Sequence, residues 1–389
     1  MTKIGGLGSE ETGRSLSYIS HMTYKNSILF RRELHDLAEL SNQEKNTSAY
    51  TASKLIEMGF EVKENVGGYG LVVDIASDIP GPVTMIRADM DALPYPDETD
   101  PDKTIAIHAC GHDAHCAVLL GAAEELRKTV KKGKVRMVFQ PGEESLTGAQ
   151  AMIKDNVLDG VDIVIGSHIR PIQDIPVGSF CASVNHVACA TSIVTITGEL
   201  AHAARPHLGI NPIEAAAQLI NAVGLIKVDP NKSWSVKPTQ IQSEKGATNS
   251  IPNYVKVTFD IRAQDNDALE QILARVDGAC VSLKHSFNAD AKSEIIDYCP
   301  GPEYDQELVE LIKNTIVEQF GEQSLAKDCG GGGEDFHFYK KAKPEVRSVY
   351  FGIGSGAEPG LHCRDMHFDD SVLPSASKLL VEFVRKLNG

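Results

Sequence analysis

Between positions 71 and 165 short apolar runs alternate with helical stretches, and each run ends in polar residues. A chain patterned this way buries its runs most simply as the inner strands of an α/β sheet. The runs are 71–75, 83–86, 135–139 and 162–165, with helical periodicity before them near 48–58 (stopped by Gly59) and between them from 113 to about 130 and over 149–154. The rhythm predicts a mixed, mostly parallel sheet flanked by helices. Active groups in such sheets gather outside the carboxyl ends of the strands. Three clusters occupy that place: Arg87-Ala88-Asp89-Met90-Asp91, Gln140-Pro141-Gly142-Glu143-Glu144 and Gly166-Ser167-His168.

From about Val177 to Cys299 the rhythm changes to strand 190–197, helix 211–225, strands 236–243 and 254–261, helix 267–284 and strand 291–297. That order, βαββαβ, is the split-βαβ plan of a ferredoxin-like domain. The α/β rhythm then resumes with helix 305–319, strand 347–353 and a closing helix near 373–387. The expected organisation is one domain over 1–178 and 300–389, with a second domain over 179–299 inserted into it. The run Gly330-Gly331-Gly332-Gly333 reads as a close-approach loop before a helix at Glu334. A phosphate cradle is the other reading, but no Lys-Ser or Lys-Thr follows the glycines.

The net charge of −15 on 389 residues disfavours nucleic acid or an anionic membrane surface as the main partner. A small-molecule enzyme fits better. The first twenty residues mix Lys3, Glu10, Glu11 and Arg14 with serines and glycines and lack the apolar core of a signal peptide, so a cytoplasmic location is expected. The eight cysteines form no compact framework, and most sit in apolar stretches, as reduced core residues do.

Chemistry concentrates in His108-Ala109-Cys110-Gly111-His112-Asp113-Ala114-His115. In an extended segment His108, Cys110 and His112 would project to one side, with Gly111 allowing a tight bend between the outer two. The plainer reading is a helix capped by Asp113 whose buried part is Ala117, Val118, Leu119, Leu120, Ala122, Ala123 and Leu126. Both readings stay open on these residues alone, because zinc modules usually offer paired ligands. Glu143-Glu144 after an apolar strand places adjacent carboxylates facing different ways, so that one can bind a metal while the other handles protons; a solvated surface pair is the alternative. His168 ends another apolar run, and His362 follows one on the loop Pro359-Gly360-Leu361-His362-Cys363. Cys110, His112, Glu144, His168 and His362 together would make five ligands from four strand-end loops, enough for two metals if one bridges; the mixed N, O and S set does not single out one metal.

These motifs have a recognisable order. Arg32-Glu33-Leu34-His35 with Glu39-Leu40-Ser41, Arg87 through Pro94, the 108–115 run, Phe139 through Glu144, Ala201-His202-Ala203-Ala204-Arg205-Pro206-His207, Asn249-Ser250-Ile251-Pro252, Glu334-Asp335-Phe336 and Leu361-His362 succeed one another along nearly the whole chain. In this the chain resembles the dinuclear metal-dependent amidohydrolases and peptidases related to aminoacylases and glutamate carboxypeptidases. Within them it is most similar to the branch of N-acyl-amino-acid amidohydrolases, hippurate hydrolases and indole-acetyl-amino-acid hydrolases. The resemblance implies two divalent ions per subunit, manganese or zinc, with Cys110 bridging and His112, Glu144, His168 and His362 completing the set. It implies Glu143 as general acid and base, and His202 reaching the substrate carbonyl from the partner subunit of a homodimer. It also implies that Asn249 faces the substrate and that Arg262 receives a substrate carboxylate, although a structural salt bridge is the competing use of Arg262. Asp89, Asp91, Asp113 and His108 read as groups that orient ligands.

The chain departs from that pattern at Ala38 (usually Pro), Gly142 (usually Ala) and Cys363-Arg364 (usually a small polar residue and Pro). None removes a ligand, but the last leaves substrate preference open and places an oxidisable thiol beside the site. The expected activity is hydrolysis of N-acyl amino acids. A carboxypeptidase or dipeptidase of the same fold is the enzymatic alternative, and a non-catalytic metal-dependent binding protein is the alternative outside enzymes.

Overall fold

A computed structural model describes residues 24–389; the N-terminal stretch read above for targeting lies outside them. The described chain forms two compact units, one of residues 24–185, 303–330 and 338–389, the other of 186–302 and 331–337.

The first unit is built on a seven-stranded sheet. Its strands are β1 (Lys63–Val66), β2 (Gly70–Ala76), β3 (Val83–Asp89), β6 (Lys134–Gln140), β7 (Ile163–Pro171), β8 (Phe180–Cys181) and β17 (Arg347–Ala357), in the spatial order β1-β2-β6-β3-β7-β17-β8. The hairpin β4 (Leu93–Pro96) and β5 (Thr104–Ile107) stands apart from the sheet. The four central strands β6, β3, β7 and β17 run parallel, while β2 and β8 add antiparallel edges. The central strands are covered on both faces, so six of the seven residues of β3 are buried, the polar Thr84, Arg87 and Asp89 among them. Helices His112–Thr129 and Leu373–Asn388 pack on this sheet and Asn26–His35 packs on both of them, with Leu34, Leu126, Leu379 and Phe383 fully buried.

Residues 179–185 belong to this unit, because Phe180–Cys181 pairs with Gly352 and Ile353 of β17. The boundary therefore falls later than the change of patterning at 178 suggests. The short strands β9 (Val184–Asn185) and β16 (Cys329–Gly330) pair in parallel beside it.

The second unit holds β10 (Ala188–Thr197), β12 (Trp234–Ser243), β14 (Tyr254–Ala263) and β15 (Asp290–Cys299) in the order β12-β14-β10-β15, all neighbours antiparallel. With helices Pro212–Gly224 and Asn266–Phe287 between them the chain order is βαββαβ, the ferredoxin-like plan. Strict alternation along β10 puts Ala188, Ala190, Val194 and Ile196 into a core with Leu219, Phe259 and Ile272. Asp265 caps the second helix, accepting the Ala268 N–H at 2.9 Å. The bridge β11 (Ala201–His202) with β13 (Ser250–Ile251) completes this unit.

The helix expected at Glu334 begins later, at His337. Of the preceding glycines, Gly333 does make a close approach, since a Cβ there would lie 2.9 Å from the Cys189 sulfur. Among the described residues no helix is long and apolar enough to cross a membrane.

Candidate metal centre

The helix His112–Thr129 starts from Gly111, whose φ of +85° places it in the left-handed region. A Cβ at that position would stand 2.2 Å from Ile169 Cδ1, so only glycine turns the chain here. The turn sets Cys110 on the incoming loop and His112 on the first residue of the helix, both buried. Asp113 is not the helix cap expected of it. Its Oδ1 accepts the Ala114 N–H, while Oδ2 meets Arg31 Nε at 3.0 Å and His35 Nδ1 at 2.8 Å. Nor does His108 join Cys110: it is buried near His35, ring centroids 6.1 Å apart, with neither ring nitrogen hydrogen-bonded. Burial, opposed in part by Asp113, pulls its pKa down to about 4.

Three more segments meet Cys110 and His112. Glu143 and Glu144 follow β6 after Gly142, whose φ is +64°. His168 lies within β7. His362 sits in the loop after β17 with φ +63°, its N–H bound to Ala109 O at 2.8 Å and its carbonyl accepting the Tyr95 hydroxyl at 2.7 Å.

The donor atoms of Cys110, His112 and His168 lie within 4.8 Å of one another, as do those of Cys110, Glu144 and His362, and of His112, Glu143 and Glu144. Cys110 is thus common to two groups. Cys110 Sγ is 3.4 Å from His168 Nε2, His112 Nε2 is 3.8 Å from Glu144 Oε1, and His362 Nε2 is 3.6 Å from the same oxygen. Ligands about 2.1 Å from a shared ion at tetrahedral angles stand roughly 3.4 Å apart. Two of these tips, His112 Nε2 and Glu144 Oε1, are buried without a hydrogen-bond partner. Orphaned polar atoms are costly unless something pairs with them, and a cation placed among them would do so. The donor set therefore fits a metal.

The backs of the imidazoles are fixed as ligands require. His112 Nδ1 meets Asp91 Oδ1 at 3.1 Å, and His168 Nδ1 donates to the Ile169 carbonyl at 2.6 Å, which leaves its Nε2 free to ligate. Asp91 Oδ2 accepts both the Ser41 hydroxyl at 2.6 Å and the Glu144 N–H at 2.9 Å, so one carboxylate orients two of the donors. Against burial, the His112 hydrogen bond holds Asp91 below the usual carboxylate range. Asp89 reaches His115 Nδ1 and Arg87 Nη1, both at 2.5 Å, and His115 Nε2 accepts the Ile169 N–H at 3.0 Å, which makes His115 a support of the strand. Burial, then His115, keeps His168 neutral, as a ligand must be. Burial and Glu144 raise the Cys110 thiol, so its ionisation needs a cation.

In the second unit His202 and Asn249 lie side by side, with Asn249 Nδ2 3.5 Å from His202 Nε2 and the Ala203 N–H on the Asn249 carbonyl. His202 Nδ1 accepts the Ala204 N–H at 3.0 Å, so the neutral ring carries its proton on Nε2. Arg262 is engaged by Asp260, with Nη2 to Oδ1 at 3.0 Å.

Sequence reasoning missed Glu44, Tyr95 and the Arg31–His35–Asp113 cluster. His35 belongs to a motif noted for its resemblance, but Glu44 and Tyr95 carry no local signal. Glu44 is buried and its Oε1 accepts the N–H groups of Asn42 at 2.8 Å and Gly142 at 2.7 Å, fastening the turn before the carboxylate pair.

Known proteins resemble this chain over most of its length. N-acetyl-L-cysteine deacetylase of Bacillus subtilis is 33% identical over 376 residues, covering 93% of this chain and 88% of that protein. Thermostable carboxypeptidase 1 of Saccharolobus solfataricus is 32% identical, covering 85% and 86%. The solved structure of the Bacillus subtilis YXEP protein, described as a dinuclear metal-binding peptidase, superposes with a TM-score of 0.79 at 26% identity over 94% of this chain and 99% of that one. Residues 85–386 match the model of Peptidase family M20/M25/M40, so the chain belongs to that family and is a hydrolase.

Proposed function

We propose that the protein hydrolyses the amide bond of N-acyl amino acids, using two divalent ions held by Cys110, His112, Glu144, His168 and His362. The convergence of those five donors, with Cys110 common to two groups and Glu143 alongside, is the observation that carries the reading. Manganese or zinc suits this mixed set. When bound, the ions would polarise the acyl carbonyl and make a water acidic enough to deprotonate near neutral pH.

Glu143 takes the proton from the attacking water and returns it to the nitrogen of the departing amino acid. It is buried and adjoins His112, its Oε2 3.9 Å from Nε2, which keeps it at the site while Glu144 serves as ligand. His202, with a proton on Nε2, donates to the acyl oxygen as negative charge develops there; it comes from a second copy in a homodimer formed through the inserted domain. Asn249, beside it, also faces the substrate. Arg262 receives the substrate carboxylate once Asp260 releases it.

Glu143→Ala should keep the metal and lose turnover by several orders of magnitude; unchanged turnover would refute the mechanism. Faster hydrolysis of dipeptides than of acetyl-, benzoyl- or indole-acetyl-amino acids would favour the carboxypeptidase reading, which the 32% identity to a carboxypeptidase keeps in play. Mixing His202→Ala with Glu143→Ala subunits should restore part of the activity. No recovery despite demonstrated subunit exchange would remove the shared-site step.

A further inference from the structure

Away from the carboxylate pair, Cys181 and Cys329 bring their sulfurs to 3.4 Å in the first unit. Hydrolysis makes no use of them. Cys181 ends β8 and is buried beside Gly352 of β17, whereas Cys329 opens β16 and is half-buried, next to exposed Asp328 and Gly330. Two chemistries are open to paired thiols: ligation of a soft cation, or exchange with a disulfide.

The neighbouring charge decides between them. Arg170, only 6% exposed, donates to the Gly330 carbonyl at 3.0 Å and is paired with Asp174. The hydrogen bond with Cys181, and then the Arg170 charge, hold the Cys329 thiol below its ordinary range; the same bond and burial push Cys181 up. A fixed guanidinium repels a cation and favours a thiolate, which is the attacking species in exchange. The pair is also asymmetric in exposure, Cys181 buried and Cys329 half-buried, so Cys329 is the thiol a small disulfide can reach.

The sulfurs must shorten their separation to about 2.05 Å. Beyond β16, Gly331 and Gly332 have φ of +113° and +78° with open space where a Cβ would stand, and the Gly332 carbonyl accepts the Val187 N–H at 3.0 Å.

We propose that Cys181 and Cys329 form a thiol–disulfide centre that exchanges with small disulfides. The Cys329 thiolate attacks one sulfur of a small disulfide, forming a mixed disulfide and releasing one thiolate. Cys181 then gives up its proton and attacks the Cys329 sulfur, forming the Cys181–Cys329 bond and releasing the second small thiol. The two protein thiols are oxidised by two electrons in all, and the small disulfide is reduced to two thiols. This centre does not depend on the hydrolytic reading.

The test exposes the full-length, metal-containing protein to oxidised glutathione, alkylates the remaining thiols and maps the peptides by mass spectrometry. A linked peptide joining Cys181 and Cys329, two hydrogens lighter and restored by dithiothreitol, is expected. Cys181→Ser should trap Cys329 as a mixed disulfide with glutathione, and Cys329→Ser should leave Cys181 a free thiol. The proposal is overturned if both thiols remain fully alkylatable, if Cys329 stops at the mixed disulfide in the unsubstituted chain, or if the only linked peptides join other cysteines.

Discussion

Glu44→Gln should change how stability depends on pH, and the structure says by how much. Glu44 is fully buried; its Oε1 accepts two backbone N–H groups, but Oε2 has no partner. Burial, aided by the charge of Asp91 and opposed by backbone hydrogen bonds, pushes its pKa from 4.5 up to about 7. Because the folded value is raised, the folded state holds this proton more tightly than the unfolded chain. The contribution is fully present below about pH 4.5 and is lost as pH rises through 7. A shift of about 2.5 units at about 1.4 kcal/mol each sets a ceiling near 3 kcal/mol. Gln keeps an oxygen for the two N–H groups and leaves an unpaired buried amide, a cost of roughly 1–3 kcal/mol that is the same at every pH. The diagnostic quantity is therefore the difference between protein and variant across pH, not at one pH. By calorimetry in chelator, the wild-type midpoint of the first unit should fall relative to the variant between pH 4.5 and 8, by up to roughly 6–12 °C at about 2–4 °C per kcal/mol. Parallel curves over that range would show that the buried carboxylate is not the source and would refute the reasoning.

Asp91→Asn, which removes the acceptor shared by His112 and the Glu144 N–H, should weaken metal affinity about 10- to 100-fold, measured by competition with a chromophoric chelator. Asp113→Asn leaves Arg31 and His35 facing a neutral group and should cost about 3–5 kcal/mol in denaturant unfolding, more than Asp260→Asn at the exposed Arg262 pair. Leu379→Ala in the closing helix, fully buried in the main core, should cost about 2–5 kcal/mol. Removing bound metal with chelator should lower the melting temperature, and adding it back should restore it, because the folded state alone assembles the donors.

The inner strands were legible because a strand covered on both faces is largely apolar, as Met85-Ile86 and Ile163-Val164-Ile165 are. Glu144 and His362 were legible because their loops follow the inner strands β6 and β17, whereas Cys110 and His112 follow the hairpin strand β5 and His168 lies within β7. The hairpin over 93–107 was not, since Pro94 and Pro96 interrupt any strand pattern. Helix Asn26–His35 hid for a different reason: it buries only Ser27, Phe30 and Leu34, too few to impose a period. Glu44 and Tyr95 act across 98 and 267 residues of sequence, and no local periodicity reports such a pairing. Asp113 shows the converse, for a carboxylate in a first helical turn reads as a cap until its partners Arg31 and His35 come into view.

Three of the four ligand-bearing segments pass through the left-handed region at or beside the ligand: Gly111 between Cys110 and His112, Gly142 just before Glu143, and His362 itself. The recurrence has a mechanical cause. A residue with positive φ reverses the local path of the chain, so donors on either side of the reversal converge instead of alternating away from each other. Glycine does this without steric cost, and at Gly111 and Gly142 a Cβ would meet Ile169 at 2.2 Å or Asn42 at 2.8 Å. At His362 the side chain is the donor, so glycine is impossible and the conformation carries about 1–3 kcal/mol of strain. That strain is opposed from both ends of the residue, by the Ala109 carbonyl on its N–H and the Tyr95 hydroxyl on its carbonyl. The hairpin that looked least like a strand from its sequence thus supplies the group that keeps the most exposed donor in place.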